Sequence, residues 1–161
     1  MAFRYPFISI PTSAPVVSLG GRLARPRPII PIVAINPRNL VWRQFRGTID
    51  TAADDTVFHE KTARLLGIDL TNAPVGQAEG TTGVAISVKY ADIFLQLISP
   101  DGEVVEWRAT VAFAEKKTSN PLLGFAGFLQ FFDATCWGGF EEVELVPNHL
   151  FPGQPPSIVV S

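Results

Sequence analysis

The sequence predicts an all-β protein, a small β-barrel with one or two short helices. Three observations carry this expectation: apolar residues recur mainly at period two, the apolar runs are bounded by Pro and Gly, and helical periodicity is confined to two brief stretches. With 161 residues, 47% of them apolar, the chain can bury one well-packed core and is short for two.

Residues 1–28 are rich in Pro, Ser, Gly and Arg and read as an N-terminal extension, an extended linker in which only Phe3 to Ile10 has the composition of an edge strand. Arg22, Arg25 and Arg27 make a short basic run that ends among prolines, as expected of a solvated linker more than of an anion-binding surface; a removable leader is an alternative. Ile29 to Ile35 is a branched apolar strand, and Val41 to Ile49 is a second that runs into Asp50. Glu60 to Leu66 fits one helix ending at Gly67. Further on, Val84, Ile86, Val88 and Tyr90 occupy even positions, whereas Ile93, Leu95 and Leu97 occupy odd ones, which predicts a bulge or bend near Ala91-Asp92 in one long strand. Asp101-Gly102 marks a turn. Val105, Trp107, Ala109, Val111 and Phe113 then alternate with Glu106, Arg108 and Thr110, the pattern of a strand with one buried face. Ala126 to Phe132 fits a second helix, Glu141, Glu142 and Glu144 form an acidic, solvated strand edge, and residues 151–161 form a C-terminal tail to the domain at 29–150.

Composition removes several functions. A net charge of −2 supplies no cationic face for nucleic acid. Cys136 is the single cysteine, so no intrachain disulfide or Cys-based zinc site can form, and a buried structural thiol is expected. His59 and His149 stand apart without a helical metal-ligand pattern, no serine elbow or phosphate loop is present, and neither a metal nor an organic cofactor is implied. Pro6, Pro11 and Pro15 interrupt the N-terminal region and no run of about 20 apolar residues occurs, which leads to the expectation of a soluble, cytoplasmic protein without a membrane partner.

Chemistry concentrates in Gly47-Thr48-Ile49-Asp50-Thr51-Ala52-Ala53-Asp54-Asp55-Thr56-Val57-Phe58, where an acid and a hydroxyl end an apolar strand and two carboxylates follow. Farther along, Pro121-Leu122-Leu123-Gly124-Phe125-Ala126-Gly127-Phe128-Leu129 supplies two branched apolar residues and a glycine. In this order the two elements resemble the retropepsin-like aspartic proteases of the single-domain, homodimeric type, over roughly Ile29 to Pro147. The resemblance implies a closed barrel and an aspartic endopeptidase whose peptide or protein substrate lies across a homodimer. It assigns the catalytic motif to Asp50, Thr51 and Ala52, with Asp50 as acid/base and Thr51 bracing the paired loops. Asp54 and Asp55, together with Gly80, Thr81, Thr82 and Gly83 of a hairpin flap, would contact substrate. The family's usual glycine is replaced here by Ala52, which favours the alternative of a catalytically inactive peptide-binding or dimerisation module of the same fold. Read without the family, Thr51 is a local turn hydroxyl and Asp54 a cap for the following turn.

Overall fold

The computed structural model describes residues 1–79, 83–116 and 120–158. β1 (Phe3–Pro6) and β2 (Ile8–Val16) open the chain, and a 3₁₀ turn at Val17–Leu19 leads to β3 (Arg22–Arg27). Then follow β4 (Ile29–Ile35), β5 (Trp42–Ile49), β6 (Val57–His59), the helix α1 (Glu60–Leu66) and β7 (Val75–Glu79). β8 (Ala85–Ile98), β9 (Val104–Ala114), β10 (Leu122–Leu123), β11 (Phe132–Trp137) and β12 (Glu142–Pro147) complete the order.

The largest sheet runs β4-β5-β10-β6-β9-β8-β7. β4 pairs with β5 along one edge and, through Val33–Ile35, with Phe94–Gln96 of β8 along the other, so six strands return on themselves as a closed ring. β8 is long enough to do more. While β9 occupies one of its edges from Val88 to Ile98, the opposite edge takes β7 at Ala85–Lys89 and β4 farther down. The β7–β8 hairpin therefore projects from the ring. A smaller sheet, β1-β12-β11, joins the two ends of the chain, and β2 pairs with β3 as a separate ribbon.

One large core fills the ring, with Ile30, Ile32, Phe58, Ile93, Leu95, Trp107, Val111 and Leu123 among its fully buried members. Burial of each such side chain contributes about 1.5–3 kcal/mol. Trp107 is its aromatic centre: it stacks edge-on to Phe132 at 5.0 Å, contacts Phe128 and Phe151 at 6.0 and 5.8 Å, and donates its indole N–H to the Gly127 carbonyl at 2.9 Å. A second cluster of Val57, Val88, Ala112 and Ala114 lies on the other face of β8 and β9.

That second cluster explains the phase change in β8. The ladder to β9 is unbroken from Val88 to Ile98, and there is no bulge at Ala91-Asp92. Instead the strand passes from one core to the other, burying the even face at Val88 and the odd face at Ile93, Leu95 and Leu97. β9 likewise departs from the expected single buried face, because Ala112 and Ala114 are buried on the second side and so is Glu106.

Other expectations need correction. The N-terminal segment is largely strand rather than linker: β1 buries Phe3 and Tyr5 against the main core, and β2 and β3 form an antiparallel ribbon. The expected helix at Ala126 to Phe132 is a chain of turns, since Gly127 takes a left-handed φ of 87° and its amide is bonded to Gln130 Oε1, which stops helical propagation. Cys136 is exposed, on the edge strand β11 whose residues beyond Phe132 all face solvent. The acidic residues of β12 and the preceding turn are paired: Arg4 with Glu144 at 2.8 Å, and Arg22 with Glu141. α1 matches its expected limits, closing at Gly67 with φ 71°, and His59 caps it by accepting the Lys61 amide on Nδ1. Among the described residues no helix is long and apolar enough to cross a membrane.

Candidate functional site

The site is built where two distant stretches of chain are stitched together. β5 delivers the chain to Asp50, and β6 receives it again at Val57. Between them lies β10, parallel to Thr48–Ile49 on one edge and antiparallel to Val57 on the other. The Asp50 amide donates to the Leu123 carbonyl at 3.1 Å, and past Leu123 the bonds continue: Phe125 N–H to Ala53 O at 2.9 Å, Ala126 N–H to Asp54 O at 2.8 Å, and Thr56 N–H to Ala126 O at 3.0 Å. Both flanks of the loop are thus held by one segment, 121–126. Such proximity requires Gly124, because a Cβ there would lie 2.2 Å from the Asp55 carbonyl oxygen and 2.7 Å from that of Ala53.

Asp50 is half-buried, and its Oδ1 accepts the Ala52 amide at 3.0 Å. Ala52 is exposed and has no left-handed φ, so its methyl imposes no backbone strain and its N–H serves as a glycine's would. Thr51 is exposed, and its hydroxyl makes no hydrogen bond among the described residues. The Asp54 side chain is exposed as well, while its carbonyl holds Ala126. Asp55 is half-buried, forms a bridge with Ala126, and accepts the Tyr90 hydroxyl on Oδ2 at 2.8 Å. Gly83 lies at the return of the β7–β8 hairpin with φ 70°. Gly80, Thr81 and Thr82 fall outside the described residues.

A cleft of about 230 Å³ adjoins the loop. Ala53, Asp54, Asp55 and Val57 line one side, and Ala78, Glu79, Val84 and Ile86 of the hairpin line the other, with Lys116 at the rim. The interior is aliphatic and the charged groups stand at its margin. A larger groove of about 630 Å³ runs along Asn36–Arg38, Ile68–Asp69 and Tyr90–Asp92, but Asp92 there is committed to Arg108 at 2.8 Å and Thr110 at 2.7 Å. The smaller cleft is the better candidate because it borders the loop whose carboxylates form no ion pair among the described residues.

Among the described residues no second carboxyl group is bonded to Asp50, and there is no cluster of three or more His, Cys, Asp or Glu side chains able to hold a metal ion. Tyr90 was not distinguishable as a site residue from sequence. It occurs in the even-numbered alternation of β8 and there looks like any strand aromatic. The models of known protein families and the curated proteins provide no match to this chain.

Proposed function

We propose that the chain is an aspartic endopeptidase of retropepsin-like architecture, active as a homodimer in which each subunit supplies one Asp50. The observation that carries this reading is the joining of the Asp50 loop to the Leu122-Leu123-Gly124 segment, beside an aliphatic cleft bordered by a hairpin. It gives a physical reason for both sequence elements at once: the loop presents a carboxylate at a strand end, and the apolar pair followed by glycine is what allows a second backbone to pin it.

Two such carboxylates facing one another share a proton, because two charges at that separation repel too strongly to coexist. The ionised Asp50 takes a proton from a water whose oxygen attacks the scissile carbonyl carbon. The protonated Asp50 of the second subunit gives a hydrogen bond, then its proton, to the carbonyl oxygen. Collapse of the tetrahedral intermediate breaks the C–N bond as a proton passes to the departing amine. The Ala52 amide, already directed at Asp50 Oδ1, orients that carboxylate. An extended peptide in the cleft would be bonded as an added strand.

The test is digestion of a broad peptide library by wild type and by Asp50→Asn, read by mass spectrometry. Cleavage by wild type that disappears in Asp50→Asn is expected. Binding of peptides without cleavage by either protein would instead establish the inactive peptide-binding module.

A further inference from the structure

The β7–β8 hairpin borders the cleft opposite the Asp50 loop, and among the described residues a single side-chain hydrogen bond joins the two, from the Tyr90 hydroxyl to Asp55 Oδ2 at 2.8 Å. Tyr90 sits at the foot of the hairpin, where its amide donates to the Pro74 carbonyl at 2.9 Å. Its ring lies against Gly76 of β7, so closely that a Cβ at Gly76 would stand 2.5 Å from the ring Cε2. Asp55 is fixed from the other direction by its bridge to Ala126 and by the backbone contact at Gly124. Both partners are therefore held independently of the bond between them. With Oδ2 occupied, Oδ1 has no hydrogen-bond partner among the described residues, and Asp55 lines the cleft.

We propose that Tyr90 is a positioning residue for ligand recognition: its hydroxyl fixes the Asp55 carboxylate so that the second oxygen accepts a peptide N–H in the cleft, and it couples the hairpin to that contact. This inference rests on the peptide-cleaving reading of the site. An unrestrained aspartate would spend its rotamer freedom on each binding event, whereas the tyrosine settles that orientation beforehand. The phenol is also held above its ordinary titration range, first by burial and then by the bond to Asp55 and its negative charge.

The experiment combines Tyr90→Phe, Asp55→Ala and the double variant. Tyr90→Phe keeps the ring on Gly76 and removes only the hydroxyl. On a peptide that wild type cleaves, Tyr90→Phe should raise KM about tenfold, the scale of one charge-assisted hydrogen bond, with kcat within about twofold. In the Asp55→Ala background the same change should add nothing. Spectrophotometric titration supplies an arm independent of hydrolysis: the chain has two tyrosines, the signal lost in Tyr90→Phe identifies Tyr90, and Asp55→Ala should move that signal to lower pH. An equal KM increase in both backgrounds, a fall in kcat at constant KM, or an unmoved Tyr90 titration in Asp55→Ala would overturn the proposal. Failure of wild type to cleave peptides removes the proteolytic reading, and Tyr90's peptide role with it, whatever the titration reports about the contact.

Discussion

Gly124→Ala probes the stitching of the loop directly. The added methyl carbon would meet the Asp55 carbonyl oxygen at 2.2 Å, the Asp55 carbonyl carbon at 2.7 Å and the Ala53 oxygen at 2.7 Å, all of them backbone atoms. No rotamer change relieves such contacts; the two segments must separate. Separation strains the Phe125 N–H to Ala53 O and Ala126 N–H to Asp54 O bonds, which flank the glycine. Overpacking costs about 1–3 kcal/mol and each weakened bond about 1 kcal/mol net, for a destabilisation of about 3–5 kcal/mol. Against a domain stability of about 5–15 kcal/mol this is a large fraction. At 3 kcal/mol the Tm falls by about 6–12 °C for a chain of this size. Urea unfolding followed by tryptophan fluorescence measures it. The matched control is Gly138→Ala in the β11–β12 turn, where no atom lies within 4 Å of the added carbon and the change should be neutral or slightly stabilising. A Gly124→Ala protein within about 0.5 kcal/mol of wild type would refute the account of why glycine stands there.

Glu106→Gln should cost about 1.5–3 kcal/mol and release the C-terminal segment, because the buried carboxylate accepts from Gln96, Gln154 and both the amide and hydroxyl of Ser157, and an amide would turn N–H groups toward those donors; carboxypeptidase trimming that is no faster than in wild type would contradict it. Ala52→Gly should lower stability by about 0.5–1 kcal/mol, since Ala52 already has an unstrained backbone, and a stability gain in denaturant titration would show that its methyl strains the loop after all. Specific hydrolytic activity should fall on dilution, as each subunit holds one Asp50; constant specific activity from a protein that sediments as a monomer would exclude the shared site.

Most strands were legible because their information is local. Ile29 to Ile35 is a continuous branched apolar run, Val105 to Phe113 carries its own alternation, and α1 carries its own stop at Gly67. The errors arose where a second surface intervened. A period-two pattern states which residues share a face, and it cannot state that a strand leaves one core and enters another, so the face switch in β8 mimicked a bulge. Glu106 looked solvated for the same reason, as its neighbours on that face, Gln96, Gln154 and Ser157, come from elsewhere in the chain. The N-terminal segment misled through composition: Pro and Arg are tolerated in β2 and β3 because the ribbon is two-stranded, with one edge of each strand free of a ladder.

The site divides along the same line. The segment that forms its backbone frame could be anticipated, through the resemblance carried by Leu122-Leu123-Gly124, and the structure supplies the reason for the glycine: no Cβ fits where two main chains come this close. The side-chain frame could not be. Asp55 accepts from Tyr90 only because β9 lies between β6 and β8, which brings the foot of the hairpin next to the loop. Nothing at either residue specifies that arrangement. Gly76 is the one local trace of it, a glycine inside a strand where no turn calls for one, and the space it leaves is filled by the Tyr90 ring. An unexplained glycine in a strand is thus a sign that some large side chain is seated against that backbone, and in this chain it marks the residue whose hydroxyl holds Asp55, a residue of the cleft lining.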